Sequence, residues 1–363
     1  MTTQFDVPVA VPDGDDVPRG LTWWGVRTVA QLELRQRVRS TRWKIALLVW
    51  VIVVGGVTAL VSGAVSYFGG TQMPREDVGA TVFGLVLFFV LFLGLLVAPT
   101  LSATSVNGDR AAGTLATLQV TTLSAADLAV GKLVAAWLAA LAFLAASLPF
   151  LAWGLALGGT AVVVAIGTVV LLALILAVVC AVGLAFSALT ARTSGSAVLT
   201  YLTVAGLSVG TLIAFGLSAP LVTRTDEVRV YDVAADYDWE GDEPPECEWR
   251  TQELPVTHLE RTAWLLTLNP FVIVADLTPP DLTGSNPMAA ISAGIRYAHA
   301  GPATEIDQCP ASWSGAPEPL PSSGPVWPWG LGVYLLLGAG ALAVTIRRLR
   351  VPARTLARGT RIA

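Results

Sequence analysis

NGDRAAGTLATLQVTTLSAADLAVGK fills residues 107–132, and the chain on either side of it is almost pure hydrocarbon. Asn107 or Asp109 can cap a new helix, because their side chains accept the unpaired N–H groups of a first turn. The spacing predicts a helix over 109–120, too short and too polar to cross a bilayer. TTLS then interrupts. Ser124 and Asp127 form a capping-box pair before the next apolar run. Lys132 stands where its stem can snorkel to the headgroups. A short polar helix, a turn and a freshly capped apolar helix describe a rigid knob between two membrane spans.

Working outward, 54% of the 363 residues are hydrophobic and only 13% are charged, where a soluble domain carries about 25% charged residues. Mean hydropathy is +0.66. Six uncharged apolar runs lie near 45–68, 80–104, 132–157, 161–189, 196–221 and 326–346. Each is long enough to span hydrocarbon as a helix. GLALGGTA at 154–161 is the natural turn between the third and fourth. The acidic, proline-bearing start MTTQFDVPVAVPDGDD has no basic n-region or apolar h-region, so the first span reads as an uncleaved anchor.

Lys and Arg gather beside particular span ends. Arg27, Arg35, Arg37, Arg39, Arg42 and Lys44 precede the first span, and Arg347, Arg348, Arg350, Arg354, Arg358 and Arg361 follow the last. Arg110, Lys132 and Arg192 flank spans two to five. All fall on one side if both termini are cytoplasmic, as the positive-inside rule prefers. The loop 222–325, with DYDWEGDEPPECEW at 236–249, is acidic and belongs outside. Trp43, Trp153, Trp327 and Trp329 sit at span ends, as interfacial aromatic belts do.

The segment 21–44 carries Trp23, Val26, Ala30, Leu34 and Val38 at helical spacing, with Arg27, Gln31, Arg35 and Arg42 mostly on another face. It reads as an amphipathic helix in the membrane surface. Within the outer loop, 262–277 is apolar, too short to span and broken at Asn269–Pro270. It reads as one or two short re-entrant helices. Cys247 and Cys309 share this loop and can pair in an oxidising compartment or stand as separate thiols. Gly206 and Gly210 form a GxxxG in the fifth span, fit either for packing inside one subunit or for a seam between two. Pro99 and Pro149 sit inside spans, as static kinks or hinges.

The span cores lack Asp, Glu, Lys, Arg and His, which argues against a proton-coupled carrier. No HExxH and no Cys/His cluster suits a metal. No GxxxxGK[ST] is present, so the chain has no nucleotide-binding loop of its own.

The 107–132 stretch resembles the cytoplasmic motif of type-2 ABC transporter permeases, G-E-R-x-x-G-T-L-x-x-L-x-x-T-P-L-S-x-x-x-I-x-x-G-K. Gly108, Arg110, Gly113, Thr114, Leu115, Leu118, Thr121, Leu123, Ser124, Gly131 and Lys132 match without gaps. Asp109 stands for the usual Glu, Thr122 for Pro and Leu128 for Ile. LNPFVIVAD resembles the segment that often precedes the last span in that family. The resemblance implies an all-α polytopic membrane protein. Its parts are a tail over 1–20, an interfacial helix over 21–44, and five spans over 45–221 with a coupling helix at 107–124. An extracytoplasmic loop over 222–325, a sixth span over 326–346 and a basic tail over 347–363 complete it.

By that resemblance the chain is a plasma-membrane permease without catalytic residues, cofactor or metal of its own, and it does not bind nucleic acid. Its partners are a separate ATP-binding subunit carrying ATP and Mg, a second permease in a homo- or heterodimer, and membrane lipids. Asp109 is the expected polar contact with the ATPase, and Leu115 and Leu118 are expected to fill its apolar pockets. Arg110, Gly113, Thr114, Thr122, Ser124, Asp127 and Lys132 complete the coupling element. The implied direction is export. The uncharged pathway favours an amphiphilic or hydrophobic cargo. A secondary transporter or channel, or a non-transporting scaffold, are the competing classes.

Overall fold

A computed structural model describes residues 20–68, 74–113, 123–234, 247–280, 286–309 and 324–350. Six of its helical segments are long and apolar enough to cross a membrane. The interfacial helix α1 (Trp23–Arg39) turns at Ser40 into the first span, α2 (Thr41–Phe68). The second span, α3 (Arg75–Ser102), runs into a short helix α4 (Ser105–Ala111). The third and fourth are α5 (Ala125–Leu157) and α6 (Val162–Leu189). Gly158 and Gly159 make the turn between them at φ +104° and +77°, a backbone region that glycine enters at little cost. The fifth span is α7 (Thr193–Ala205), a π turn over Gly206–Gly210, and α8 (Thr211–Ser218). The sixth is α12 (Trp327–Leu349).

The apolar residues sort themselves by helix. α3, α5 and α6 pack together, burying Phe83, Leu87, Leu91, Leu172, Ile175 and Leu176. α2 docks on α5 through aromatic edges, with Trp43 and Trp50 each 5.0 Å from the Phe143 ring. Trp50 Nε1 donates to Ser147 Oγ at 2.9 Å, giving the buried indole the partner it needs. Only 17% of the apolar core is buried in α2, in the α7–α8 span and in α12. Those three spans therefore present apolar flanks to whatever surrounds the chain.

The acidic stretch 222–325, whose fold the sequence left open, holds a sheet among its described residues. β1 (Thr223–Val233) pairs antiparallel with β2 (Cys247–Thr257), from Thr223 opposite Thr257 to Val233 opposite Cys247. β3 (Glu305–Asp307) pairs parallel with β1 on its other edge. The physical reason is the alternation in the middle of TRTDEVRVYDV, which buries Val228 and Val230 and leaves Glu227 and Arg229 exposed. Glu227 lies on the polar face of the strand, and Asp226 and Asp232 are half-buried toward its two ends. Cys247 and Cys309 form a disulfide that ties the end of β2 to the chain just after β3.

The re-entrant stretch is two short helices, α9 (Trp264–Thr267) and α10 (Pro270–Ala275), followed by α11 (Pro287–Ala300). Asn269 is fully buried between the first two. Its Oδ1 caps α10 by accepting from Phe271 N and Val272 N. Its Nδ2 donates to Ser208 O at 2.6 Å and Thr211 Oγ1 at 3.0 Å. A π turn widens the helical ring, and the carbonyl that Asn269 takes lies inside that turn. Asp276, also buried, accepts from Val326 N and Trp327 N at 2.6 and 2.9 Å. It thereby caps the sixth span. Ser292 Oγ and Arg296 Nε complete its shell at 3.1 and 3.4 Å.

Candidate functional site at the basic end

The end of the bundle where α1, α4 and the start of α5 meet collects the polar residues of the 107–132 stretch. The short helix begins at Ser105, earlier than the caps predicted, and Asn107 lies inside it, fully buried. Ser187 of α6 supplies the cap from a neighbouring helix, its Oγ accepting from Val106 N at 2.9 Å and Asn107 N at 3.1 Å. The same hydroxyl donates to Asn107 Oδ1 at 3.0 Å. Asn107 Nδ2 donates to Ser196 Oγ at 2.8 Å, and Ser196 Oγ donates to Ala103 O at 2.6 Å. Asn107 is thus a rivet joining α4 to the end of the fourth span and the start of the fifth. A single chain gives little sign of this, because both serines look like unremarkable small residues among apolar ones.

α4 ends at Ala111, and Gly113 follows at φ +73°, the left-handed conformation that closes a helix. Asp109 and Arg110 lie on α4. Thr114, Leu115, Leu118 and Thr122, with the rest of the predicted helix, lie outside the described residues. Ser124 and Asp127 make a reciprocal capping box at the start of α5. Asp127 does more than the sequence indicated. Its carboxylate also accepts from Thr22 N at 2.6 Å and Thr22 Oγ1 at 3.1 Å, so one buried side chain fastens the starts of both α1 and α5.

Lys132 does not snorkel. Its side chain is 1% exposed, and Nζ lies 2.5 Å from Glu33 Oε1 of α1 and 2.5 Å from Asp109 Oδ2 of α4. Ser105 O accepts a further bond at 3.3 Å. The reason is that α1 lies directly over the start of α5 and shuts the lysine off from headgroups. A Cβ on Gly131 would sit 2.6 Å from Val29 Cβ, and one on Gly25 would sit 2.6 Å from Asp127 Cγ. The two glycines bring α1 and α5 into near-backbone contact, and the buried cation beneath is balanced by two carboxylates. Gly25, Val26, Val29 and Ala30 therefore form the buried stripe of α1. Trp23 and Val38, predicted on that stripe, are exposed.

Arg37 extends the cluster. Its Nη2 donates to Leu101 O at the end of α3, 2.9 Å away, and lies 4.0 Å from Glu33. Burial pulls its guanidinium below the ordinary value, with Glu33 opposing. Glu33 and Arg37 escaped the sequence reading because each looks like one more charge on an amphipathic helix. Their helical spacing to Gly25 and Val29 was the available signal. The result is a polar seam in which α4 is held on one flank by spans four and five and on the other by α1 and span three.

At the opposite end of the bundle, His258 lies 2.7 Å from Asp226 and 2.9 Å from Glu260. No group of three or more His, Cys, Asp or Glu side chains able to hold a metal occurs among the described residues.

This architecture defines a polytopic membrane protein with an elaborated polar site at the basic end of its bundle. The family model described as ABC-2 family transporter protein matches residues 27–279, and the chain belongs to that family. It is a permease-type membrane subunit rather than an ATPase, and its family implies association with an ABC ATP-binding subunit. Comparison with curated proteins finds no match.

Proposed function

We propose that the chain is the membrane pathway of an ATP-driven exporter, and that its basic end faces the cytoplasm and receives motion from a separate ATP-binding subunit. The observation that carries the reading is the double fastening of α4 by Asn107 and by the Asp109–Lys132–Glu33 cluster. A docking element moved by a partner must be rigidly joined to the spans it drives, and coupling travels through such contiguous networks. Asp109, Arg110 and the apolar Leu115 and Leu118 would meet the ATPase, while Ser124, Asp127 and Lys132 anchor the following span.

A second permease copy, identical or related, would complete the pathway. Two features support it. α2 and the α7–α8 span leave most of their apolar flanks uncovered. An added Cβ on Gly206 would meet nothing within 4 Å, and one on Gly210 only a carbonyl of its own helix at 3.8 Å, so the two glycines of the GxxxG face no other part of this chain among the described residues. The span cores hold no Asp, Glu, Lys, Arg or His, which favours a hydrophobic or amphiphilic cargo.

The test is reconstitution with the ATP-binding subunit that co-purifies. Leu115→Asp and Leu118→Asp should abolish co-purification and ATP-driven flux while leaving the melting temperature of the chain alone unchanged. Flux that persists without ATP, or with both substitutions, would sink the proposal.

A further inference from the structure

Beneath the elbow between α1 and α2 an open groove of about 950 Å³ runs between α2 and α3, with Phe143 of α5 in its floor. Its two ends differ in chemistry. Gln36, Arg37, Ser40 and Arg42 form one rim, and from there to Val53 and Leu93 the walls are almost wholly apolar. Arg42 to Val53 is eleven residues of helix, a rise of about 16 Å. One leaflet of a bilayer has a hydrocarbon depth of about 15 Å. The groove therefore starts at headgroup level and ends near the bilayer midplane.

Charge selects among occupants. Arg42 is exposed and makes no ion pair among the described residues. Arg37 is close by, and Arg39 and Lys44 flank the elbow, whereas Glu33 is the one carboxylate on this part of α1. The first turn of α2 begins at the same rim, where Trp43 N and Lys44 N are bonded to Ser40 O, so the guanidinium groups are the donors the rim offers. Guanidinium groups beside such a turn suit a phosphodiester, which they bind in paired hydrogen bonds.

We propose that this groove is a specific binding site for an anionic phospholipid of the leaflet at the basic end, with its phosphate at Arg42 and Arg37 and an acyl chain along Val49, Trp50 and Val97. The lipid would fill the space between the elbow and the second span and hold α1 against the bundle. The site meets the polar seam only at Arg37, whose Nη2 is engaged by Leu101 O, and the proposal does not depend on ATP-driven transport.

Native mass spectrometry of the full chain, taken from vesicles of equal parts phosphatidylglycerol and phosphatidylcholine, tests it. The wild type should retain phosphatidylglycerol in preference. Arg42→Glu should lower that retention by at least about fivefold, since one basic residue is worth about that much near an anionic surface. Val49→Trp, which fills the groove, should remove both lipids. Neither variant should change the melting temperature in lipid-free detergent. Equal retention of the two lipids, or unchanged phosphatidylglycerol retention in Arg42→Glu, would overturn the site. So would a chain-to-chain disulfide formed by Val49→Cys in membranes, because a second copy would then be the occupant.

Discussion

The two ends of the bundle each bury a charge, and they do so in opposite ways. At the sheet end Asp276 is held chiefly by two backbone N–H groups of the span it caps, with Ser292 and Arg296 beside it. A disulfide and an eleven-pair hairpin stand nearby. At the basic end Lys132 is held by the side chains of two different elements, Glu33 of α1 and Asp109 of α4, which remain 17% and 29% exposed. Backbone bonds within a capped helix fix one arrangement. Ion pairs from one lysine to two separate helices lock α1, α4 and α5 to one another, so the three move as a unit. The difference separates an end where a helix start is capped by backbone donors from an end where three helices meet on one buried cation.

Breaking the basic end should have the largest effect. Lys132→Met leaves two carboxylates facing each other under α1, and should cost about 3 kcal/mol in thermal unfolding, since removing one partner of a buried pair is more damaging than removing the pair. Adding Glu33→Gln should recover much of the lost melting temperature. At the sheet end, Cys247→Ser with Cys309→Ser releases a crosslink spanning 62 residues, worth about 2–4 kcal/mol. The loss should appear as faster proteolysis of β1 and β2, with ATPase association unchanged. Asn107→Ala removes one polar rivet and strands its serine partners, costing about 1–3 kcal/mol. It should weaken the coupling of ATP hydrolysis to flux more than it weakens the fold.

The smallest effect is a pH dependence at the sheet end. Burial holds the His299 imidazole below its ordinary value, against the pull of Asp276. Its contribution to stability is complete above the ordinary histidine range and declines as pH falls toward the depressed native value. His299→Gln should flatten the melting temperature between pH 7 and pH 5.

Much of this was legible in the sequence, for physical reasons that differ by region. The spans were readable because hydrocarbon forces long uncharged runs, and the Ser124–Asp127 box because capping has a fixed spacing. The resemblance carried by Gly108 through Lys132 pointed to the family that the comparison shows. The start of α4 was misplaced because its cap, Ser187, comes from another helix, and local pattern cannot show a cap delivered in space. Lys132 was misread for a related reason. Whether a lysine near a span end reaches headgroups depends on what lies over it, and here that is α1, seated by Gly25 and Gly131. The hairpin after the fifth span was hidden by its acidity, although the alternation through Val228 and Val230 was present.

The most direct measurement concerns the seam itself. In proteoliposomes carrying the chain with its ATP-binding subunit, Glu33→Gln combined with Lys132→Met removes both ion pairs of the cluster, Lys132–Glu33 and Lys132–Asp109, and leaves the Asp109 side chain unaltered. The account predicts that association and ATP hydrolysis persist while ATP-driven flux falls by about tenfold, the size of an ordinary coupling energy. Flux at the wild-type rate per ATP hydrolysed would contradict it.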